Sequence, residues 1–142
     1  MSAAESDELL RLAERVEALT GADARLEAEI DCAVRHPHLR PAEPTDFDGQ
    51  YGYSPGNIKT EHGFLMSSNY TSSLDAARSL LLPDHWMRAE GVGAAWYVLV
   101  HPTWDHGLEW APTYAAEAQT LELALTAAAL RARAGQRREG SG

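Results

Sequence analysis

The stretch from Tyr70 to Pro83 has both of its ends written into its residues, and it restricts what the rest of the chain can form. Thr71 and Ser72 carry hydroxyls that can accept from the free N–H groups of a first helical turn, and Asp75 can reach back in a capping box. Leu74, Ala77 or Arg78, and Leu81 recur at helical spacing, and Pro83 forbids continuation. A helix is expected here, laid closely on a sheet through the small Ala76 and Ala77, with Tyr70 as a staple at its entry and the other elements packed around it. The signal is architectural and names no chemistry.

Upstream, Leu9, Leu12, Ala13, Val16 and Leu19 mark one amphipathic helix ending near Gly21. Thr20 and Asp23 offer a cap for a second, with Leu26, Ile30, Ala33 and Val34 as its buried stripe, Cys32 beside it, and Glu27 and Asp31 one turn apart on the outer face. A helix-turn-helix for DNA fits this pair poorly, because the outer face is acidic. From His36 to Asn69 the Pro, Gly and polar content predicts a long irregular arm, pinned at its end by a short strand at Phe64–Met66. Trp86 to His101 is expected as a strand pair turning near Glu90–Gly93. Its second half, Ala95–Val100, is apolar throughout, as in a strand covered on both faces. A third strand is placed within Leu108–Ala118 and a final helix over Thr120–Ala134, capped by Thr120 and stopped by Gly135. Its Leu and Ala residues surround it so widely that it needs more than one neighbour. The expected fold is α+β: one domain over 1–135, an α/β/α-type sandwich with a small antiparallel sheet, an N-terminal helical hairpin and the 36–69 arm, followed by a disordered basic tail at 136–142.

The formal charge of −9, with Lys59 as the only lysine, argues against direct binding to nucleic acid or anionic membrane. Cys32, the single cysteine, rules out an internal disulfide and a multi-thiolate zinc site, and a reducing cytoplasm is the expected setting. No secretory signal and no spanning segment is expected from the sequence.

Thr20-Gly21 with Leu26–Ile30, the Tyr70–Ala77 stretch, the Trp-containing hairpin and Ala118–Leu125 together resemble small phage and prophage proteins of the phage ABA sandwich kind. The resemblance covers most of residues 9–134 and departs in the arm from Pro41 to Gly63. It implies a layered α-β-α fold, a phage-related origin and a cytoplasmic site of action in a bacterial host, and it carries over no catalytic residue.

Chemistry is sparse. His101, Asp105 and His106 form the most metal-like cluster, one donor short of a usual ligand set. His36 and His38 suit a helix C-terminus, Glu61-His62 is an isolated pair, and Cys32 suits inert packing. No catalytic residue and no cofactor is assigned. For binding, the candidates are the acidic Glu14, Glu17, Glu27, Glu29 and Asp31 and the aromatic Tyr51, Tyr53, Trp104 and Trp110, since exposed aromatics anchor interfaces. The function expected is that of a non-enzymatic phage accessory protein acting by protein–protein binding. One form of it inhibits a basic host defence or nucleic-acid-binding protein through the acidic surface. The alternatives are a small metal- or ligand-binding protein using the His101–His106 turn and a homo-oligomeric assembly component.

Overall fold

Leucine and alanine fill the segment after Thr120, and the larger part of the chain is built around the helix they form. The computed structural model describes residues 3–47, 54–102 and 113–140, with side chains up to 136 in the last helix. In chain order the elements are α1 (Ala3–Glu17), α2 (Ala24–Arg35), β1 (Arg40–Pro41), a 3-10 turn (Pro44–Asp46), β2 (Asn57–Lys59), β3 (Phe64–Met66), α3 (Leu74–Arg78), β4 (His85–Val92), β5 (Ala95–Pro102), β6 (Tyr114–Ala118) and α4 (Leu121–Gly140). The fold is α+β, with four α-helices and two antiparallel three-stranded sheets among the described residues. It divides into two compact units, Asp23–Asn69 and the remainder.

In the larger unit Thr120 caps α4, its hydroxyl accepting from Leu123 N–H at 3.2 Å. Every residue from Leu123 to Leu130 is buried, as expected of a helix that is apolar all round. One side of α4 meets β5 and β6, and another meets Leu9, Leu12, Ala13 and Val16 of α1. The alanines keep α4 thin enough for both neighbours to approach. α3 also packs on α4, but it is short and begins one residue later than expected: Ser73, not Ser72, is the cap, accepting from Ala76 N–H. Leu74 is exposed, and Ala77 and Leu80 take the buried positions. Tyr70 is fully buried, its carbonyl accepting from the buried Thr126 hydroxyl of α4 at 2.9 Å. The centre of the unit is therefore α4, and the Tyr70–Pro83 stretch is one of its flanks.

β4 and β5 form a hairpin that turns at Gly93-Ala94, where Gly93 takes φ +62°, a left-handed conformation that glycine adopts without a steric penalty. The turn lies beyond the Glu90–Gly93 expectation because Glu90 and Gly91 still belong to the ladder. β6 completes the order β4-β5-β6. The expected start of the third strand at Leu108 lies outside the described residues. α4 passes through Gly135 to Gly140, so Gly135 is not a stop and most of the expected tail is helical.

In the smaller unit, Asp23 caps α2 by accepting from Leu26 N–H at 2.9 Å. The segment expected as an irregular arm closes into the sheet β1-β2-β3. Its core is Ala28 and Cys32 of α2 against Ile58, with Leu39 packed on them. Arg25 donates to the Ala42 carbonyl and the Glu43 carboxylate, each at 2.7 Å. Arg40 forks onto both oxygens of Asp46, whose carboxyl it holds well below the usual carboxylate range. Phe47 stacks on Phe64 with centroids 4.5 Å apart.

Candidate functional site

Residues directly opposite in a sheet share a face, so the ladder assigns the two sides of β4-β5-β6. Ala89, Val98 and Ala116 form one row and Met87, Val100 and Tyr114 the next; Val98, Val100 and Ala116 are buried, which makes this the face on α4. The other face carries Trp86 beside His101, Arg88 beside Leu99 and Ala115, Glu90 beside Tyr97 and Glu117, and Val92 beside Ala95. Trp86 is 43% exposed, Tyr97 36% and Val92 56%. The Trp86 and His101 rings lie 5.2 Å apart, and His101 Nδ1 is 2.6 Å from the Pro102 carbonyl, so a neighbour on each side holds the imidazole. The result is a firm, partly aromatic surface with a charged band across it. Ala95–Val100 is thus not covered on both sides: Trp96, folded over Gly91 at the hairpin end, is 37% exposed, and Tyr97 faces outward.

The edge at β6 is occupied by side chains from helices. Glu17 of α1 accepts from Glu117 N–H at 3.0 Å, and Arg131 of α4 donates to the Ala115 carbonyl at 2.9 Å and to Glu17. The pair supplies the acceptor and the donor that an added strand would bring. Partial burial pushes the Glu17 carboxyl up, but the hydrogen bonds from Arg131 and Glu117, with the Arg131 charge, outweigh this and leave it below its ordinary value. The same contact raises Arg131.

The acidic candidates do not form one surface. Glu14 is exposed on α1, and Glu17 is held by Arg131. Glu27 and Asp31 were expected on an outer face and are instead 6% and 4% exposed. The reason is a second apolar row: Ala28 and Cys32 pack on Ile58, and the two acids lie on the helix between that row and Leu26 and Ile30. Ala33 and Val34, expected in the stripe, are half-buried, as is Glu29. Tyr51, Tyr53, Trp104, Trp110, Asp105 and His106 lie outside the described residues. Among the described residues no group of three or more His, Cys, Asp and Glu side chains is placed to hold a metal. Glu61 and His62 are both almost fully exposed and 3.8 Å apart. His36 ends α2, its backbone N–H donating to Asp31 and Cys32 carbonyls. The aromatic face itself was missed, although the alternation of Trp86, Arg88 and Glu90 with Met87, Ala89 and Gly91 marks it in β4.

Cys32 is 7% exposed, and burial, with the nearby Asp31 charge, pushes its thiol up to about 11. A thiol reagent at pH 8 should therefore leave Cys32 unmodified in the folded protein and label it fully in denaturant; rapid labelling without denaturant would contradict this placement. His85 is enclosed at the start of β4, with Nδ1 2.9 Å from Asp84 and no partner for Nε2 among the described residues.

No protein-family model, curated protein or solved structure matches this chain.

Proposed function

We propose that the chain is a non-enzymatic protein that works by binding another protein through the outer face of β4-β5-β6. The observation that carries this is the exposure of Trp86, Tyr97 and Val92 on one face of an ordered sheet. Aromatic side chains with few rotatable bonds lose little entropy on contact and supply large contact areas, which is why they anchor interfaces. Arg88, Glu90 and Glu117 on the same face would give the contact its orientation. The net charge of −9 favours a basic partner. A phage or prophage accessory role in a bacterial host, with a basic defence or nucleic-acid-binding protein as target, belongs to the same proposal and is supported by the Tyr70–Ala77 resemblance.

Reversal at Glu27 or Asp31 perturbs buried positions and reports on folding. The pair Trp86→Ser and Tyr97→Ser alters exposed ones. Immobilised wild-type chain should retain specific proteins from bacterial lysate at low salt, and the folded double variant should release them. Equal retention by the two chains would overturn the proposal.

A further inference from the structure

The sheet closes one edge and leaves the other open. Ala115 and Glu117 turn their backbone groups away from β5, toward Arg131 and Glu17. Their neighbours Leu99 and Tyr97 must then turn theirs toward Arg88 and Glu90 of β4. The alternation leaves Met87, Ala89 and Gly91 facing outward, and no backbone or side-chain partner meets those groups among the described residues. The outward N–H of His85 is already taken, donating to the Leu82 carbonyl at 3.0 Å. No proline, lysine or bulge interrupts the stretch from Met87 to Gly91, and its two charged side chains, Arg88 and Glu90, are of opposite sign, so they do not bar an antiparallel copy of the same strand.

The geometry points to a second copy of this chain as the occupant of that edge. Its β4 runs antiparallel to the first about a two-fold axis at Ala89. Ala89 then faces the partner's Ala89, and Met87 faces the partner's Gly91, each pair exchanging N–H···O=C bonds. On the outer face Arg88 lies opposite the partner's Glu90, and Glu90 opposite the partner's Arg88. Both side chains are more than half exposed and, among the described residues, pair with each other at 3.3 Å, an exposed contact that is cheaply exchanged. The charges also select the register. A slip to the adjacent two-fold arrangement on either side sets Arg88 against Arg88 or Glu90 against Glu90, which like-charge repulsion disfavours. Trp86 would lie opposite the partner's Val92, carrying the aromatic face across the axis. This goes beyond the outer-face proposal and is read by oligomeric state, not by partner capture.

The test is light scattering and sedimentation of the full chain as wild type, Arg88→Glu, Glu90→Arg, and an equimolar mixture of the two variants, each first shown to be folded by circular dichroism. The wild type should form dimers. Each variant alone places like charges at both symmetry-related contacts and should dissociate roughly tenfold more readily. In the mixture every substituted position meets an opposite charge, and the dimer should return. A wild type that stays monomeric up to about 0.1 mM would overturn the proposal. So would dimers indifferent to both substitutions, or weakened variants that do not recover on mixing.

Discussion

Gly135→Ala should destabilise the protein by about 2 kcal/mol, although the same change inside a helix ordinarily stabilises by up to about 1 kcal/mol. The helix at Gly135 is crossed by the Tyr114 ring, which reaches it from the inner face of β6. A Cβ there would lie 2.5 Å from Tyr114 Cζ and 2.6 Å from Cε1. No real methyl tolerates such contacts, so either the ring leaves its site or α4 moves off the sheet. Because α4 also carries α1, a shift of the helix would be felt on both of its sides. Urea unfolding of Gly135→Ala, Tyr114→Ala and the double variant would measure the coupling. Once the ring is gone the added methyl should cost nothing, so the double variant should be no less stable than Tyr114→Ala. A Gly135→Ala protein as stable as wild type would show that the ring does not press on the helix.

The second large effect is expected at Glu17. Glu17→Ala leaves the Arg131 guanidinium, about one quarter exposed, without its carboxylate, and leaves Glu117 N–H without its acceptor. A fully buried pair broken in this way costs about 3–5 kcal/mol; with this much water access the loss should be nearer 2 kcal/mol. The pH dependence has a fixed sign. Glu17 has a folded-state value below its unfolded one of 4.5, so its contribution is complete above that value and disappears as the pH falls through the lower one. The gap between wild type and Glu17→Ala should thus be constant near neutrality and shrink in acid below about 4.5. A gap that grows in acid would contradict the pairing.

The pattern of elements was legible where the chain repeats long enough to show a period. Leu9, Leu12, Ala13 and Val16, the Thr120-capped helix and the hairpin after His85 all follow from local spacing and capping chemistry. What escaped was set by contacts between distant residues. β1 and β2 are two and three residues long, too short for any alternation to register, and they exist because Ala28 and Cys32 offer Ile58 a surface. Gly135 resembles a helix stop in isolation; only Tyr114 explains a glycine inside the helix. The binding surface was less legible than the fold. Glu17 and Arg131 meet from positions 114 residues apart in the chain, and no local pattern announces them. The apolar run Ala95–Val100 hides its own alternation: it suggests cover on both faces, yet within it only Val98 and Val100 are fully buried and Tyr97 faces outward.

The distinction between a closed and an open edge carries the account, and residue-resolved amide hydrogen exchange in dilute solution tests it most directly. The Glu117 amide, held by Glu17, should exchange slowly in wild type and quickly in Glu17→Ala, while the amides of Met87, Ala89 and Gly91 exchange quickly in both and slow only as the protein is concentrated. A Glu117 amide that exchanges as fast as Ala89 in the dilute wild type, or an Ala89 amide protected there, would contradict it.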